Sequence, residues 1–440
     1  MRKIVFMILA IGIIGTVAAI YTLSGSKPTR IVLITLDTLR YDSMMGGKDQ
    51  PTTMPLSRAV GDKGLIFTRF YTATSTTQPT HATKFTAMHP WQHGVSRNGQ
   101  VLDVKHTTVA EILKKNGFTT SAVVASFPVT SKVSQFDQGF DRYDETFTEG
   151  RKESKYALAD QITKSIMRQL DTAEGDKQFF WFHYYDPHAP YGDTSGQFRG
   201  FTPKPQLERA VQRGESRKQL NEMVAKFRQY YDMDVKYLDQ HLHQVLQRLE
   251  VESRKYDTHL IITSDHGESF GEDGSVAHGK RITHWQIHVP AFIISPRITP
   301  GMRDDVAGSI DIMPTILDLA NVQHDTPGAR SLLQKPKQPT PAFGMRRTFE
   351  IPFEETRLDG KVHIHDYDLF FIVYPDGRIF RGNRKQLLDL PQQDNAIAKT
   401  LPNALKRQFS KFEDELNGQP PTREIDLAVI EELKKLGYTQ

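Results

Sequence analysis

Two short apolar runs constrain the fold most: RIVLITL at residues 30–36 and HLIIT at residues 259–263. Both are rich in β-branched residues and continuous rather than alternating, which is the pattern of a strand covered on both faces of a parallel sheet. Each stops at an acidic residue, Asp37 after the first and Ser264-Asp265-His266-Gly267 after the second. In open α/β sheets ligands collect beyond the carboxyl ends of the strands, so acids at two such ends are candidates for one site. FFWFHYY at 179–185 is a further run, ending at Asp186-Pro187-His188. A helix is expected over 108–115, stopped by Asn116-Gly117, with another strand over 118–125.

From Tyr231 onward, Val235, Leu238, Leu242, Val245, Leu246 and Leu249 recur at steps of three and four, giving a helix with a narrow buried stripe. Its His241 and His243 read as surface positions. Residues 193–217 lack a period and read as an irregular surface excursion near the site mouth. Asp311 opens a helix through Leu319, and a Pro-rich connector at 335–341 then marks a domain boundary. Beyond it, 369–374 and 378–381 flank a Pro375-Asp376-Gly377 turn as a β-hairpin, 362–365 adds a strand, and 431–438 forms a terminal helix. The chain thus divides into a terminal segment (1–29), a catalytic domain (30–335) and a smaller C-terminal subdomain (336–440), without internal repeats.

A length of 440 residues suits one large core plus a smaller domain. The formal charge of +4, with no basic run interleaved with aromatics, gives no support for nucleic-acid binding. Absence of cysteine removes disulfides, thiolate metal sites and lipoprotein attachment. Arg2 and Lys3 precede an apolar run over 4–23, long enough at about 1.5 Å per residue to cross a bilayer of ~30 Å. It reads as an uncleaved membrane anchor with the catalytic body exported to the periplasmic or extracellular face. Cleavage at Val17-Ala18-Ala19 is the alternative.

A divalent metal that activates a hydroxyl needs hard oxygen donors, often with an imidazole, and a nucleophile able to bind the ion. Asp37, Asp265 and His266 supply that set, and Thr77 completes it. Threonine alone is a poor nucleophile; coordination lowers its hydroxyl pKa and fixes the oxygen in line with an ester.

Thr77-Gln78-Pro79-Thr80-His81, running on through Pro90, His93, Gly94 and Val95, resembles the sulfatase nucleophile segment, with threonine in place of the cysteine that becomes formylglycine. The wider chain is similar to the sulfatase and alkaline-phosphatase superfamily. Leu36-Asp37-Thr38-Leu39-Arg40 and Ser264-Asp265-His266-Gly267-Glu268 resemble its two metal segments, and Ala277-His278-Gly279-Lys280 before Val289-Pro290 resembles its His-Gly-Lys segment. Asp186 to Tyr191, Asp311 to Leu319 and the closing Leu436-Gly437-Tyr438 match further landmarks.

The resemblance implies a large mixed, mostly parallel sheet sandwiched by helices, with a smaller C-terminal α+β domain on an antiparallel sheet. It implies one divalent ion (calcium, manganese, magnesium or zinc) held by Asp37, Thr77, Asp265 and His266. A second ion at Asp186, His188 and His278 is the alternative. Transition-state charge on a transferring group calls for preorganised cations and a proton donor. By resemblance, His188, His278 and Lys280 take catalytic parts, with His81, His188 and Lys280 on the substrate. His183 reads as a buried strand residue.

Two departures point away from sulfatase chemistry. A formylglycine releases sulfate by elimination, whereas a threonine adduct must be freed by a second displacement. The sulfatase Lys-x-His is also missing around Val124-Ala125-Ser126-Phe127. The expectation is therefore a hydrolase or transferase acting on phosphate esters of small molecules, envelope glycans or lipids. The alternatives are a sulfatase lacking formylglycine, a phosphoethanolamine- or phosphoglycerol-type transferase, and a non-catalytic binding protein.

Overall fold

The computed structural model describes residues 27–47, 50–148, 155–192, 200–346, 353–364 and 370–382. Strands β1 (Thr29–Leu36), β2 (Leu65–Phe67), β3 (Thr119–Val123), β4 (Arg142–Asp144), β5 (Lys177–Tyr184), β6 (Asp257–Ser264), β7 (Ala291–Ile294) and β8 (Gly301–Arg303) make one eight-stranded sheet. Its order is β8-β2-β7-β6-β1-β5-β3-β4. Neighbours are parallel except around β7, which runs antiparallel to both β6 and β2. Leu36 at the end of β1 lies beside Tyr184 of β5 and Ser264 of β6. Asp37, Tyr185 and Asp265 therefore leave the sheet at one level.

Successive strand residues point to opposite faces, so a sheet covered on both sides builds two apolar layers. Val32, Ile34, Phe180, Phe182, Leu260 and Ile262 lie in one; Ile31, Leu33, Phe179, Trp181 and Ile261 lie in the other. Helices α1 (Thr77–Thr86), α2 (Val109–Lys115), α3 (Ala159–Asp171), α4 (Pro203–Gln212), α5 (Arg217–Glu252) and α6 (Ile312–Leu319) flank the sheet. The first layer packs on α3, α4 and α5, the second on α1, α2 and α6. This is the mixed, mostly parallel, alkaline-phosphatase-like sandwich expected from the sequence.

Helix α4 corrects the expectation of an irregular excursion over 193–217. Pro203 opens it, where a missing N–H costs nothing, and Leu207 and Ala210 bury one short stripe. A stripe that short does not register as a period among charged neighbours. Helix α5 also starts well before Tyr231. Ser216 and Gln219 form a capping box at its start, and Leu220, Val224 and Phe227 extend the stripe that runs to Leu249.

Beyond the Pro-rich connector, β9 (Ala342–Met345), β10 (Phe353–Arg357), β11 (Gly360–Ile364), β12 (Phe370–Val373) and β13 (Ile379–Gly382) follow. An antiparallel sheet of order β9-β12-β13 contains the expected hairpin, and β10 pairs with β11. The sheet braces the segment before Thr77: the Met345 N–H donates to the Ala73 carbonyl at 2.8 Å. Phe371 and Val373 pack with Tyr71, Ile282, Ile287 and Val306. The expected helix at 431–438 and the apolar run at 4–23 lie outside the described residues. Among the described residues, no helix is long and apolar enough to cross a membrane.

Gly344 sits where this sheet meets the body. A Cβ there would stand 2.3 Å from the Ala73 carbonyl oxygen and 2.4 Å from the Phe371 ring. Gly344→Ala is expected to destabilise by about 1–3 kcal/mol through overpacking, read as a lowered midpoint in thermal or urea unfolding. An unchanged midpoint would show that the sheet is not seated on this contact.

Candidate functional site

Helix α1 brings the Thr77 hydroxyl to the strand ends. Thr76 is extended, Thr77 begins the helix, and every residue from Thr77 to Thr86 is buried. Positions i, i+4 and i+7 share one helix face, so Thr77, His81 and Lys84 form a buried polar stripe. His81 is committed within the protein. The Trp181 indole N–H donates to Thr35 Oγ1 at 2.9 Å. His81 Nδ1 lies 2.9 Å from the Thr77 carbonyl and Nε2 lies 3.1 Å from Thr35 Oγ1. A carbonyl only accepts, so Nδ1–H donates to Thr77 and Nε2 accepts from the Thr35 hydroxyl. Neither nitrogen is left for an anion, and His81 acts as a support behind Thr77 rather than the substrate contact expected from sequence.

The acids sit beyond β1 and β6, and both are fully buried. Asp265 Oδ1 accepts from the Thr38 N–H at 3.1 Å and the His266 N–H at 2.8 Å. Asp265 Oδ2 and both oxygens of Asp37 have no hydrogen-bond donor. Buried carboxylate oxygens without donors are costly, and a cation among them removes that cost. Holding Asp265 in this pose strains the chain: Thr38, β-branched, has φ +55°, a conformation costing about 1–3 kcal/mol. The Tyr231 hydroxyl fixes it by donating to the Thr38 carbonyl at 3.0 Å.

His266 completes the set. Its Nδ1–H donates to the Gly267 carbonyl at 3.1 Å, so Nε2 carries the lone pair. That nitrogen lies 3.4 Å from Thr77 Oγ1, 3.5 Å from Asp265 Oδ2 and 3.7 Å from Asp37 Oδ1. Burial pushes the ring down to about 4, leaving a neutral, ligand-ready imidazole at neutral pH. Gly267 is required by close approach, since a Cβ would stand 2.1 Å from the Trp285 carbonyl oxygen. Burial, then the neighbouring Asp265 carboxylate, raises Asp37 well above the usual carboxylate range. Burial also acts upward on Asp265, but His266, His81, Lys84 and His183 together outweigh it and hold it low.

The ligand atoms of Asp37, Asp265 and His266 are close enough to hold one metal ion, and the orphaned oxygens fit a hard divalent cation. His81, His183 and Asp265 make a second close group. The commitment of His81 Nε2 to Thr35 counts against an ion there. Among the described residues, Asp186, His188 and His278 are not gathered as a third group.

Next to this cradle stands a file of imidazoles. The His266 and His278 ring centroids are 4.3 Å apart, and those of His278 and His188 are 5.0 Å apart. His188 Nδ1 donates to the Ala189 carbonyl at 2.6 Å, and burial, then His278, lowers it to about 3. His278 Nδ1 lies 3.0 Å from Glu268 Oε1. The Tyr191 hydroxyl donates to Glu268 Oε2 at 2.6 Å, and burial raises this carboxyl to about 6. Lys280 is buried beside His278. The preceding Gly279 packs against Thr76: a Cβ there would lie 3.2 Å from Thr76 Cγ2.

The structure therefore brings Thr77, Asp37, Asp265 and His266 together, with His278 and His188 beside them. Sequence reasoning gives three neighbours no part in the site: Lys84 is not singled out, His183 reads only as the buried strand residue that it is, and Glu268 stands only within its motif. Lys84 is fully buried near Asp265 and Asp37; burial pushes its ammonium down to about 7 against the pull of these carboxylates. His183 Nε2 stands 3.9 Å from Asp37 Oδ2, and burial lowers that ring to about 4. Glu268 orients His278. The i+7 spacing of Lys84 from Thr77 was available, and so was the acidic residue directly after the Asp-His-Gly motif.

A hydroxyl, two carboxylates and an imidazole thus gather at the strand ends of a sandwich of the alkaline-phosphatase and sulfatase superfamily. The Sulfatase family model matches residues 29–322, more than half of the chain, and the protein belongs to that family. It is 37% identical over 101 residues to phosphatidylethanolamine transferase Mcr-1 of Escherichia coli, covering 22% of this chain and 19% of that protein. It is 30% identical over 101 residues to choline-sulfatase of Rhizobium meliloti, covering 23% of this chain and 20% of that one. The chain thus spans about a fifth of the length of these two curated relatives. A phosphonate monoester hydrolase from Silicibacter pomeroyi shares the fold, with a TM-score of 0.58 at 19% identity over 81% of this chain and 89% of that one.

Removing the carboxylate that fixes His278 tests the arrangement. Glu268→Ala is expected to lower ester turnover by roughly 10–100-fold, the usual effect of losing an orienting partner, with circular dichroism unchanged. Wild-type turnover in that variant would show that Glu268 does not set the His278 ring.

Proposed function

We propose that this protein is an exported, metal-dependent hydrolase or transferase of phosphate esters with Thr77 as nucleophile. The carrying observation is the Thr77 hydroxyl 3.4 Å from His266 Nε2, facing carboxylates with orphaned oxygens, in a family member without cysteine. Asp37, Asp265, His266 and Thr77 would hold one divalent ion, which when bound supplies Lewis-acid activation of the hydroxyl and charge neutralisation. The Thr77 hydroxyl gives up its proton to solvent, and its Oγ forms a bond to phosphorus as the bond to the leaving oxygen breaks, giving a phosphothreonine and, once protonated, a free alcohol. His278 hands a proton to the departing oxygen, and Glu268 holds that ring in position. Lys280 binds the equatorial oxygens, and His188, whose Nδ1–H is given to the Ala189 carbonyl, packs behind His278. Water, or an acceptor alcohol, then attacks the same phosphorus and frees Thr77.

Phosphorus chemistry is supported by the threonine, by the missing Lys-x-His and by the phosphatidylethanolamine transferase and phosphonate hydrolase among the relatives. The choline-sulfatase match keeps sulfate esters as the second reading. The Arg2-Lys3 start and the apolar run at 4–23 support a membrane-anchored body on the periplasmic or extracellular face. Small-molecule, glycan and lipid esters all suit that location.

Turnover of aryl phosphate, bis-aryl phosphate and aryl sulfate is expected to favour phosphorus. Thr77→Ala is expected to lose at least ~10³-fold in kcat, and quenched wild-type enzyme should carry a phosphate on Thr77 by mass spectrometry. Retained phosphoesterase activity in Thr77→Ala would exclude this mechanism, and a preference for aryl sulfate would exclude the substrate class.

A further inference from the structure

The peptide that joins Thr77 to Gln78 is held at both ends by side chains. Its carbonyl accepts from His81 Nδ1–H at 2.9 Å, and its N–H donates to Asn98 Oδ1 at 2.8 Å. The second bond does the work of a helix cap. The first N–H groups of a helix have no partner within it, and the residue just before the helix commonly satisfies one through its side chain. Thr76 holds that position in α1 but makes no such bond; its Oγ1 lies 3.3 Å from Thr74 Oγ1 instead. Asn98, 20 residues beyond Gln78, supplies the acceptor.

The grip is reciprocal. Gln78 Nε2 donates to the Val133 carbonyl at 2.9 Å, and the Gly99 N–H donates to Gln78 Oε1. The loop that carries Asn98 is itself braced, because Gln100 Oε1 accepts from the Ser96 N–H at 2.8 Å and the Arg97 N–H at 3.2 Å. Gln78 and Asn98 are both buried, so water does not readily stand in for either side of the clamp.

We propose that Asn98 is a positioning residue for Thr77. With His81 it fixes the 77–78 peptide plane, and so aims the Thr77 hydroxyl at His266 and the strand-end acids. This rests on the nucleophile reading above. A peptide is rigid and planar, so holding both its carbonyl oxygen and its N–H sets the backbone of Thr77. The Thr77 side chain follows that backbone, and its Oγ1 stands 3.4 Å from His266 Nε2 in this pose. Asn98 thus acts through the main chain rather than on the substrate.

The test compares wild type, Asn98→Leu and Asn98→Asp, each with Mn2+ added, on an aryl phosphate. Leucine keeps the heavy-atom outline and loses the acceptor, whereas aspartate keeps both. Asn98→Leu is expected to lose ~10–100-fold in kcat with little change in KM, since a shift of about 1 Å suffices for such a loss. Asn98→Asp is expected to recover most of it. In crystals of Asn98→Leu the 77–78 peptide should turn and Thr77 Oγ1 should leave its place beside His266 Nε2, while in Asn98→Asp it should stay. No loss in Asn98→Leu, an equal loss in both variants, or an unmoved Thr77 hydroxyl in Asn98→Leu would overturn the proposal. Should Asn98→Leu not fold, Asn98→Ala, which removes the acceptor without added bulk, is judged by the same results. The nucleophile reading fails separately: quenched wild type would then carry no phosphate on Thr77, and the position of the hydroxyl in the crystals decides the proposal alone.

Discussion

Everything at this centre depends on bringing two carboxyl groups together in a dry place, where burial and the Asp265 carboxylate push Asp37 toward its protonated form. Asp37 and Asp265 follow adjacent strands whose register sets Leu36 beside Ser264, so the sheet itself fixes their proximity. Hydrophobic burial on both faces of β1 and β6 supplies the free energy that makes this tolerable. Cations then have to answer the charge. A divalent ion can do so from the side where Thr77 and His266 face the acids. The left-handed Thr38 is a local cost of the same requirement, because it turns the chain so that its N–H reaches Asp265.

The two layers of the sandwich divide the work. The face covered by α3, α4 and α5 is mostly apolar bulk, with Tyr231 reaching from α5 to the Thr38 and Arg40 backbone. The face covered by α1 carries a polar chain that runs from the Trp181 indole through Thr35 and His81 to the Thr77 carbonyl. Each donor in that chain has an acceptor, so the helix that carries Thr77 is anchored to a central strand without an unsatisfied group. The C-terminal sheet adds a third support, gripping Ala73 just before the helix.

Much of this was legible in the sequence. Continuous β-branched runs ending in acids marked β1 and β6, and Asp-His-Gly with the Thr77 segment marked four of the central side chains. What stayed hidden depends on tertiary register rather than local pattern. His183 faces the site only because it pairs with Thr35 across β1 and β5. Lys84 looks like any helical lysine until the whole of α1 is seen to be buried. Helix α4 has too short an apolar stripe to stand out among charges. His81 was recognisable as a partner of Thr77, but its use of both nitrogens inside the protein was not.

Under the proposed mechanism, threonine suits the place of the nucleophile for a reason beyond the chemistry of its oxygen. It is β-branched, so few χ1 wells are open to it at the start of a helix. Buried on all sides and flanked by Thr76 and Gln78, Thr77 cannot easily turn its hydroxyl away from His266. A serine would offer the same oxygen with more rotamers to freeze before each encounter, and a cysteine would need oxidation to an aldehyde before it matched a hard cation. The branched methyl is therefore part of the site's preorganisation: it fixes the oxygen at the point where the two strand-end acids and the imidazole converge.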